Sequence, residues 1–188
     1  NGAGKTTLMK ILAGLYFPDA GEVFIEGKKV YINNPKQAQK LGIAMIYQEL
    51  RLFLDLNITE NVFIGREPLK NNKWSRFIDW EKAYKETQKY LDYFGLKINP
   101  RTPISTLSVG QQKFVEIIKA LSQNANIIIM DEPTAALTEQ EIEVLFKVIE
   151  DIKRLGVAVI YISHRIGEVK RIADMVTILR DGELIQTC

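Results

Sequence analysis

Cysteine is almost missing from this chain of 188 residues: the only one, Cys188, is the last residue, so no internal disulfide is expected and a reducing compartment fits best. Long apolar runs are missing too. The longest, around 125–130 and 155–162, fall far short of the roughly 20 residues that a membrane-spanning helix needs. No basic region followed by an apolar stretch opens the chain, so no signal peptide is expected. There is no initiating Met, and the chain starts at Asn1 inside what reads as a motif, which makes a fragment of a longer protein the expectation. A strong balance of one charge is also lacking. Lys and Arg number 25 against 23 Asp and Glu, a net charge of +2 that is too weak a balance to argue for nucleic acid or an anionic bilayer as partner. At 46% hydrophobic and 26% charged, the composition is globular and excludes a disordered, collagen-like or fibrous chain.

Periodicity supplies the elements. Leu8, Ile11, Leu12 and Leu15 recur at helical spacing over 6–15 and predict a first helix, stopped by the turn-rich 16–21. Residues 22–26 and 30–32, joined through Gly27, predict a short antiparallel pair. A brief helix is expected over Pro35–Lys40, and a buried-type strand over Ile43–Tyr47. Between Gln48 and Ser108 no strand pattern appears. The best helix there is Asp79–Phe94, with Trp80, Tyr84, Leu91 and Phe94 on one face and Gly95 as its C-terminal cap. The stretch Lys70–Arg76, with Trp74, reads as a solvated loop.

An α/β rhythm returns at Ile127–Met130. Thr138 and Glu141 form a capping box for a helix to Leu155, lined by Ile142, Leu145, Phe146 and Ile149 and capped by Gly156. An apolar strand at Val157–Ile162, a short helix from Ile166 to Ile172 and a hairpin turning at Asp181-Gly182 complete the chain. Strands separated by helices imply a parallel sheet, and such sheets gather ligands at the carboxyl ends of their strands.

Three stretches carry chemistry. Asn1-Gly2-Ala3-Gly4-Lys5-Thr6-Thr7 is the tail of a phosphate loop: glycines let backbone amides turn inward, and a helix starting at Gly4-Lys5 adds its positive end. Lys5 would reach the β- and γ-phosphates and Thr6 would place a hydroxyl on Mg²⁺. Ile127–Glu132 is an apolar strand ending in two carboxylates; Asp131 suits Mg²⁺, commonly through a water, and Glu132 suits polarising an attacking water. Leu107-Ser108-Val109-Gly110-Gln111 leads into a helix with Phe114, Ile118 and Leu121 inward, so its amides and serine make a second anion site. Alone, each has a plainer reading: a turn, a strand entering a loop, a helix cap. In this order they support one another.

Together they resemble the nucleotide-binding domain of ATP-binding cassette (ABC) proteins, over essentially the whole chain. The parts are the phosphate loop (Asn1–Thr7), a glutamine loop at Gln48, the signature Leu107–Gln111, the metal strand Ile127–Glu132 and a switch histidine, His164. Leu8–Gly14, Ile46–Leu50 and Asp131–Thr138 look like the bacterial simple-sugar importer branch (ribose, galactose, xylose type), in which two such domains share one polypeptide and this would be the first. Val109 stands where many ABC proteins have glycine, and Thr138 where aspartate is frequent.

The resemblance implies a P-loop NTPase, α/β, with a mainly parallel sheet flanked by helices, a helical ABC subdomain and a small antiparallel β part. The expected division is a RecA-like core over 1–50 and 115–188 with a helical subdomain over 51–114. It implies ATP and Mg²⁺, with Asn1, Gly2, Ala3, Gly4, Lys5, Thr6, Thr7, Ser108, Gly110 and Gln111 binding nucleotide. Thr6, Gln48 and Asp131 would serve the metal, and Glu132, His164 and Gln48 the hydrolysis. Ser108 and Gly110 would touch the γ-phosphate held by an opposing domain. The implied partners are membrane permease subunits, a second ATP-binding domain and, indirectly, a secreted sugar-binding protein, with the chain peripheral at the cytoplasmic face of the membrane. The apolar Leu50, Leu52, Phe53, Leu54 and Leu56 beside Gln48 would either dock the permease or pack the subdomain's own core. Selectivity in such importers belongs to the permease and the binding protein, so the sequence names no sugar. Two alternatives are a soluble ABC-type ATPase acting on ribosomes or DNA, and a nucleotide-binding module without hydrolysis. Heptads are missing between Gln48 and Ser108, which counts against the first, and intact Lys5, Asp131, Glu132 and His164 count against the second.

Overall fold

The computed structural model describes residues 2–70 and 77–188. Asn1 and all of the Lys70–Arg76 loop but Lys70 lie outside the described residues. The chain forms two compact units, one of Asn1–Gln48, Gln123–Pro133 and Ile149–Cys188, the other of Glu49–Ser122 and Thr134–Val148.

In the first unit, Gly4 (φ 84°) opens helix α1 (Lys5–Leu12). The helix is shorter than the sequence pattern suggests. Gly14 turns left-handed at φ +72°, with the Asn34 carbonyl against the place a Cβ would occupy, and that tight approach ends the helix before Leu15. The buried stripe is rotated as well: Met9 and Ala13 face inward, whereas Leu8 is 44% exposed. Next come β1 (Val23–Ile25) and β2 (Lys28–Val30), an antiparallel pair closed by Glu26-Gly27, both at positive φ as a type I′ turn requires. Asn34 caps α2 (Pro35–Lys40) by accepting from the Gln37 N–H, with Pro35 pre-set at the first helical position.

Strand β3 (Ile43–Ile46) follows. In the second unit, Asn57 and Glu60 form a capping box for α3 (Ile58–Phe63), and Asp79 caps α4 (Trp80–Tyr93). The inward face of α4 is Ala83, Thr87 and Leu91. Trp80 and Tyr84, expected on that face, are half-buried at its margin, ring to ring at 6.1 Å, because the small Ala83 and Thr87 occupy the closest approach. After a 3₁₀ turn at Ile104–Thr106, Ser108 caps α5 (Val109–Leu121). Helices α3, α4 and α5 pack on one another, with Phe94 and Phe114 ring to ring.

Strand β4 (Ile127–Asp131) returns to the first unit, and α6 (Glu139–Arg154) starts from the Thr138–Glu141 capping box. Then come β5 (Ala158–Ile162), α7 (Ile166–Ile172), and the hairpin of β6 (Thr177–Arg180) and β7 (Glu183–Thr187), turning at Asp181-Gly182 as expected. The three-stranded sheet runs β3-β4-β5, parallel throughout. Its middle strand hides Ile128, Ile129 and Met130 completely, which is why β4 reads as an unbroken apolar run instead of an alternating one. Met9 of α1, Ile32, Ala38, Ile43, Ile129 and Ile162 make one core cluster, so α1 is fastened to a face of this sheet by side-chain packing. Among the described residues no helix is long and apolar enough to cross a membrane.

Candidate functional site

Strand register decides which side chains share the sheet's carboxyl edge. Ile46 pairs with Met130, and Met130 with Tyr161. Two steps further along each chain lie Gln48, Glu132 and Ser163, with His164 next. Sequence positions far apart thus arrive at one rim because three parallel strands end together.

Asp131, the last residue of β4, is 3% exposed. Glu132 leaves the strand through an unusual corner: its φ is +45°, and its N–H donates to the Ile162 carbonyl at 3.0 Å. A left-handed conformation costs a non-glycine residue about 1–2 kcal/mol, so the β5 hydrogen bond holds a corner that the residue does not favour. Its effect is directional. The Glu132 carboxylate, 16% exposed, comes within 3.1 Å of His164 Nδ1. An ionised carboxylate only accepts, so Nδ1–H is the donor of this pair. Nε2 is left on the far side of a ring that is 66% exposed. Gln48, just past β3, is exposed.

The glycine-rich stretch expected to be a phosphate loop stands ahead of α1. Gly2 and Gly4 have φ of 93° and 84°, and a Cβ built at Gly2 meets nothing within 4 Å, so the loop is open on that side. Gly4 caps α1 without a side-chain hydrogen bond, which leaves its first-turn amides without that cap among the described residues. Ala3, Lys5 and Thr6 are half-buried and Thr7 is exposed. Among the described residues no group of three or more His, Cys, Asp or Glu gathers as a metal site. The residues expected to serve a metal would offer the Thr6 hydroxyl, the Gln48 amide oxygen and the single carboxylate of Asp131. That sparse all-oxygen set fits Mg²⁺, which keeps several waters and leans on substrate phosphates.

The second unit holds the other predicted anion site. Ser108 Oγ accepts from the Gln111 N–H at 3.2 Å, and Gln111 Oε1 accepts from the Ser108 N–H at 2.9 Å. Both are therefore occupied in capping α5. Gly110 is buried against the Glu141 carboxylate, where one oxygen would lie 2.6 Å from an added Cβ and the other closer still. The same carboxylate accepts from Thr138 N–H and Oγ1–H at 2.9 and 3.0 Å.

Sequence reasoning passed over Glu168. This carboxylate, on a residue only 8% exposed, accepts from the Tyr161 hydroxyl at 2.8 Å, the Ser163 hydroxyl at 2.9 Å and Arg165 Nη1 at 3.2 Å. The signal was present as an acidic residue in the first turn of a short helix, three positions after an arginine and five after a serine.

The profile of the family described as "ABC transporter" matches residues 1–135. The ribose import ATP-binding protein of Rhodopirellula baltica is 50% identical over 187 residues, covering 100% of this chain and 36% of that protein. The xylose import ATP-binding protein of Geobacillus kaustophilus is 49% identical over 189 residues, covering 100% and 37%. A galactose/methyl galactoside import ATP-binding protein of Clostridium perfringens is 48% identical over 187 residues, covering 100% and 36%. The chain thus spans little more than a third of the length of these relatives. Among solved structures, an ATP-binding cassette of an ABC transporter in its ADP conformation superposes with a TM-score of 0.84 at 28% identity, covering 100% of this chain and 76% of that one. A nucleotide-free cassette gives 0.85 at 27%, with the same coverage. The fold is the P-loop NTPase α/β arrangement that the motifs imply, and the chain belongs to the ABC transporter family.

Proposed function

We propose that this chain is the ATP-binding and ATP-hydrolysing part of an importer that couples ATP hydrolysis to uptake of a simple sugar through a membrane permease. The observation that carries this reading is the Glu132–His164 pair beside buried Asp131, at the carboxyl rim of the parallel sheet. The ribose, xylose and galactose import relatives support the sugar class.

Gly2, Ala3 and Gly4 turn their backbone toward the phosphates, the open first turn of α1 supplies N–H donors, and Lys5 places its ammonium at the β- and γ-phosphates. Thr7 extends the same row of donors. Thr6, Gln48 and Asp131 are the residues that would hold Mg²⁺, which when bound neutralises charge on the phosphate oxygens. Glu132 polarises the attacking water. His164 is oriented by its Nδ1–H bond to Glu132, which leaves Nε2 for the γ-phosphate. Gln48 helps align the water from the end of β3. Ser108, Gly110 and Gln111, at the positive end of α5, serve the γ-phosphate held by an opposing domain, so chemistry waits for two domains to close over ATP.

In this reading residues 51–114 form the helical subdomain, and Leu50–Leu56 is the place where a permease segment docks. The half-exposed Phe53 and Leu54 support that placement. The partners are permease subunits, a second ATP-binding domain in the longer polypeptide and, indirectly, a secreted sugar-binding protein. The chain then works as a peripheral component at the cytoplasmic face.

The test uses the full-length polypeptide with its permease. Glu132→Gln is expected to cut ATP turnover by about 10²-fold or more while nucleotide still binds, and Lys5→Ala to weaken the binding itself. Unchanged turnover in Glu132→Gln would remove Glu132 as the base. A purified assembly that hydrolyses ATP without stimulation by any sugar-loaded binding protein would point instead to a non-transport ATPase.

A further inference from the structure

The histidine that the proposed mechanism needs has little holding its own side chain. Its ring is 66% exposed, and Glu132 is the partner at hydrogen-bond distance. What fixes an exposed ring is the backbone that carries it, and that backbone is gripped from below. Strand β5 ends at Ile162 and α7 begins at Ile166. Across the gap, the Arg165 N–H donates to Ser163 Oγ at 3.0 Å, closing a small ring around His164. Ser163 Oγ–H in turn donates to Glu168 Oε2 at 2.9 Å, the same oxygen that receives the Tyr161 hydroxyl at 2.8 Å. Glu168 Oε1 receives Arg165 Nη1 at 3.2 Å. One nearly buried carboxylate therefore ties together the residue before His164, the residue after it, and the last turn-ward tyrosine of the strand.

We propose that Glu168 is a positioning residue for ATP hydrolysis, acting through His164. The inference rests on the reading of His164 as the γ-phosphate-sensing group. Both oxygens of Glu168 are used, and its donors stand on both sides of His164 in sequence, so losing the carboxylate frees Ser163 and Arg165 together. Charged, nearly buried hydrogen-bond sets of this kind are stiff, because an unpaired member is costly. A stiff seat for His164 keeps its Nδ1 at Glu132 and its Nε2 pointed outward. A loosened seat lets the imidazole swing, and a misplacement on the order of 1 Å at a reacting group lowers rate by about 10²-fold without a matching loss of ground-state binding.

The experiment measures steady-state ATP hydrolysis by the full-length polypeptide in complex with its permease. The variants are Glu168→Gln, His164→Ala and the two combined. Glu168→Gln keeps an acceptor for Tyr161 and Ser163 but sets an amide N–H₂ against Arg165. It is expected to lower kcat by about 10-fold while KM for ATP stays within about 2-fold, as expected of a group that acts in the transition state. Because Glu168 acts through His164, the double variant should match His164→Ala alone within about 2-fold. Losses that multiply in the double variant, or a wild-type kcat in Glu168→Gln, would overturn the proposal. If His164→Ala itself leaves kcat unchanged, the parent reading fails instead, so the two failures separate. Should Glu168→Gln fold poorly by thermal melting, Ser163→Ala and Tyr161→Phe each delete one arm. Each should then reduce kcat in the wild-type background and have no effect on top of His164→Ala, and an effect that persists there would equally sink the idea.

Discussion

Glu132 combines a backbone cost with the chemical task proposed for it. Its φ of +45° is one that glycine would accept freely, so Glu132→Gly should leave unfolding stability equal or higher by up to about 1 kcal/mol while abolishing hydrolysis. Urea denaturation beside an ATPase assay checks both halves. Two glycines make a contrasting pair. At Gly110 an added methyl meets the carboxylate of Glu141, the far end of a side chain that can swing away. Gly110→Ala should therefore cost only the disturbed capping box, about 0.5–2 kcal/mol. At Gly14 the obstacle is the Asn34 backbone, and the φ of +72° is itself unfavourable to alanine. Gly14→Ala should cost clearly more, about 2–4 kcal/mol, and equilibrium unfolding of both variants ranks them. None of these three environments is visible in the sequence. Asp131 and Glu132 could be read as carboxylates at a strand tip because an apolar run stops there. The left-handed corner could not, because it depends on a hydrogen bond to Ile162, thirty residues on.

Elements were more legible than residues, and the reason is local chemistry. Asn34-Pro35 fixes the start of α2, Thr138 with Glu141 fixes that of α6, and Asp181-Gly182 fixes the turn between β6 and β7, each through neighbours a few positions apart. Which face a helix buries was less legible, since that depends on what packs against it: α1 turns Met9 inward and Leu8 outward. The loop after Gln48 offers another case. Asn61, fully buried on α3, accepts the Phe53 N–H at 2.8 Å and donates to the carbonyls of Phe53 and Asn57, both at 3.0 Å. One side-chain amide thus stands in for the secondary structure this loop lacks. Asn61→Ala should destabilise the second unit by about 2–3 kcal/mol, the scale for leaving buried partners unmet. Hydrogen exchange should show the amide of Phe53 losing protection ahead of those in α5.

At the scale of the whole molecule, the predicted site residues divide between the two units. Gly2–Thr7, Gln48, Asp131, Glu132 and His164 belong to one, Ser108, Gly110 and Gln111 to the other. In the proposed mechanism the second set serves a nucleotide bound elsewhere. Ser108→Arg should then lower turnover of the intact assembly by about 10²-fold, the scale for losing a transition-state donor, while ATP affinity at the loop carrying Lys5 is unchanged. Nucleotide binding by titration and turnover measured on one preparation separate the two effects. The α/β order was readable because it is written in contiguous residues, as is the glycine-rich stretch before α1 that the mechanism takes for a phosphate loop. The grip of Glu168 on Ser163 and Arg165 was not, because a carboxylate on a short helix looks like any solvated acid until its burial is known.

The hydrogen bond from the Glu132 N–H to the Ile162 carbonyl also has a thermal consequence. A corner kept only by an adjacent strand relaxes as soon as that strand begins to fray, well before the rest of the fold lets go. If the proposed hydrolysis depends on this corner, heating should end it some degrees below the calorimetric transition, and cooling should restore it, because what is lost first is a single turn of backbone.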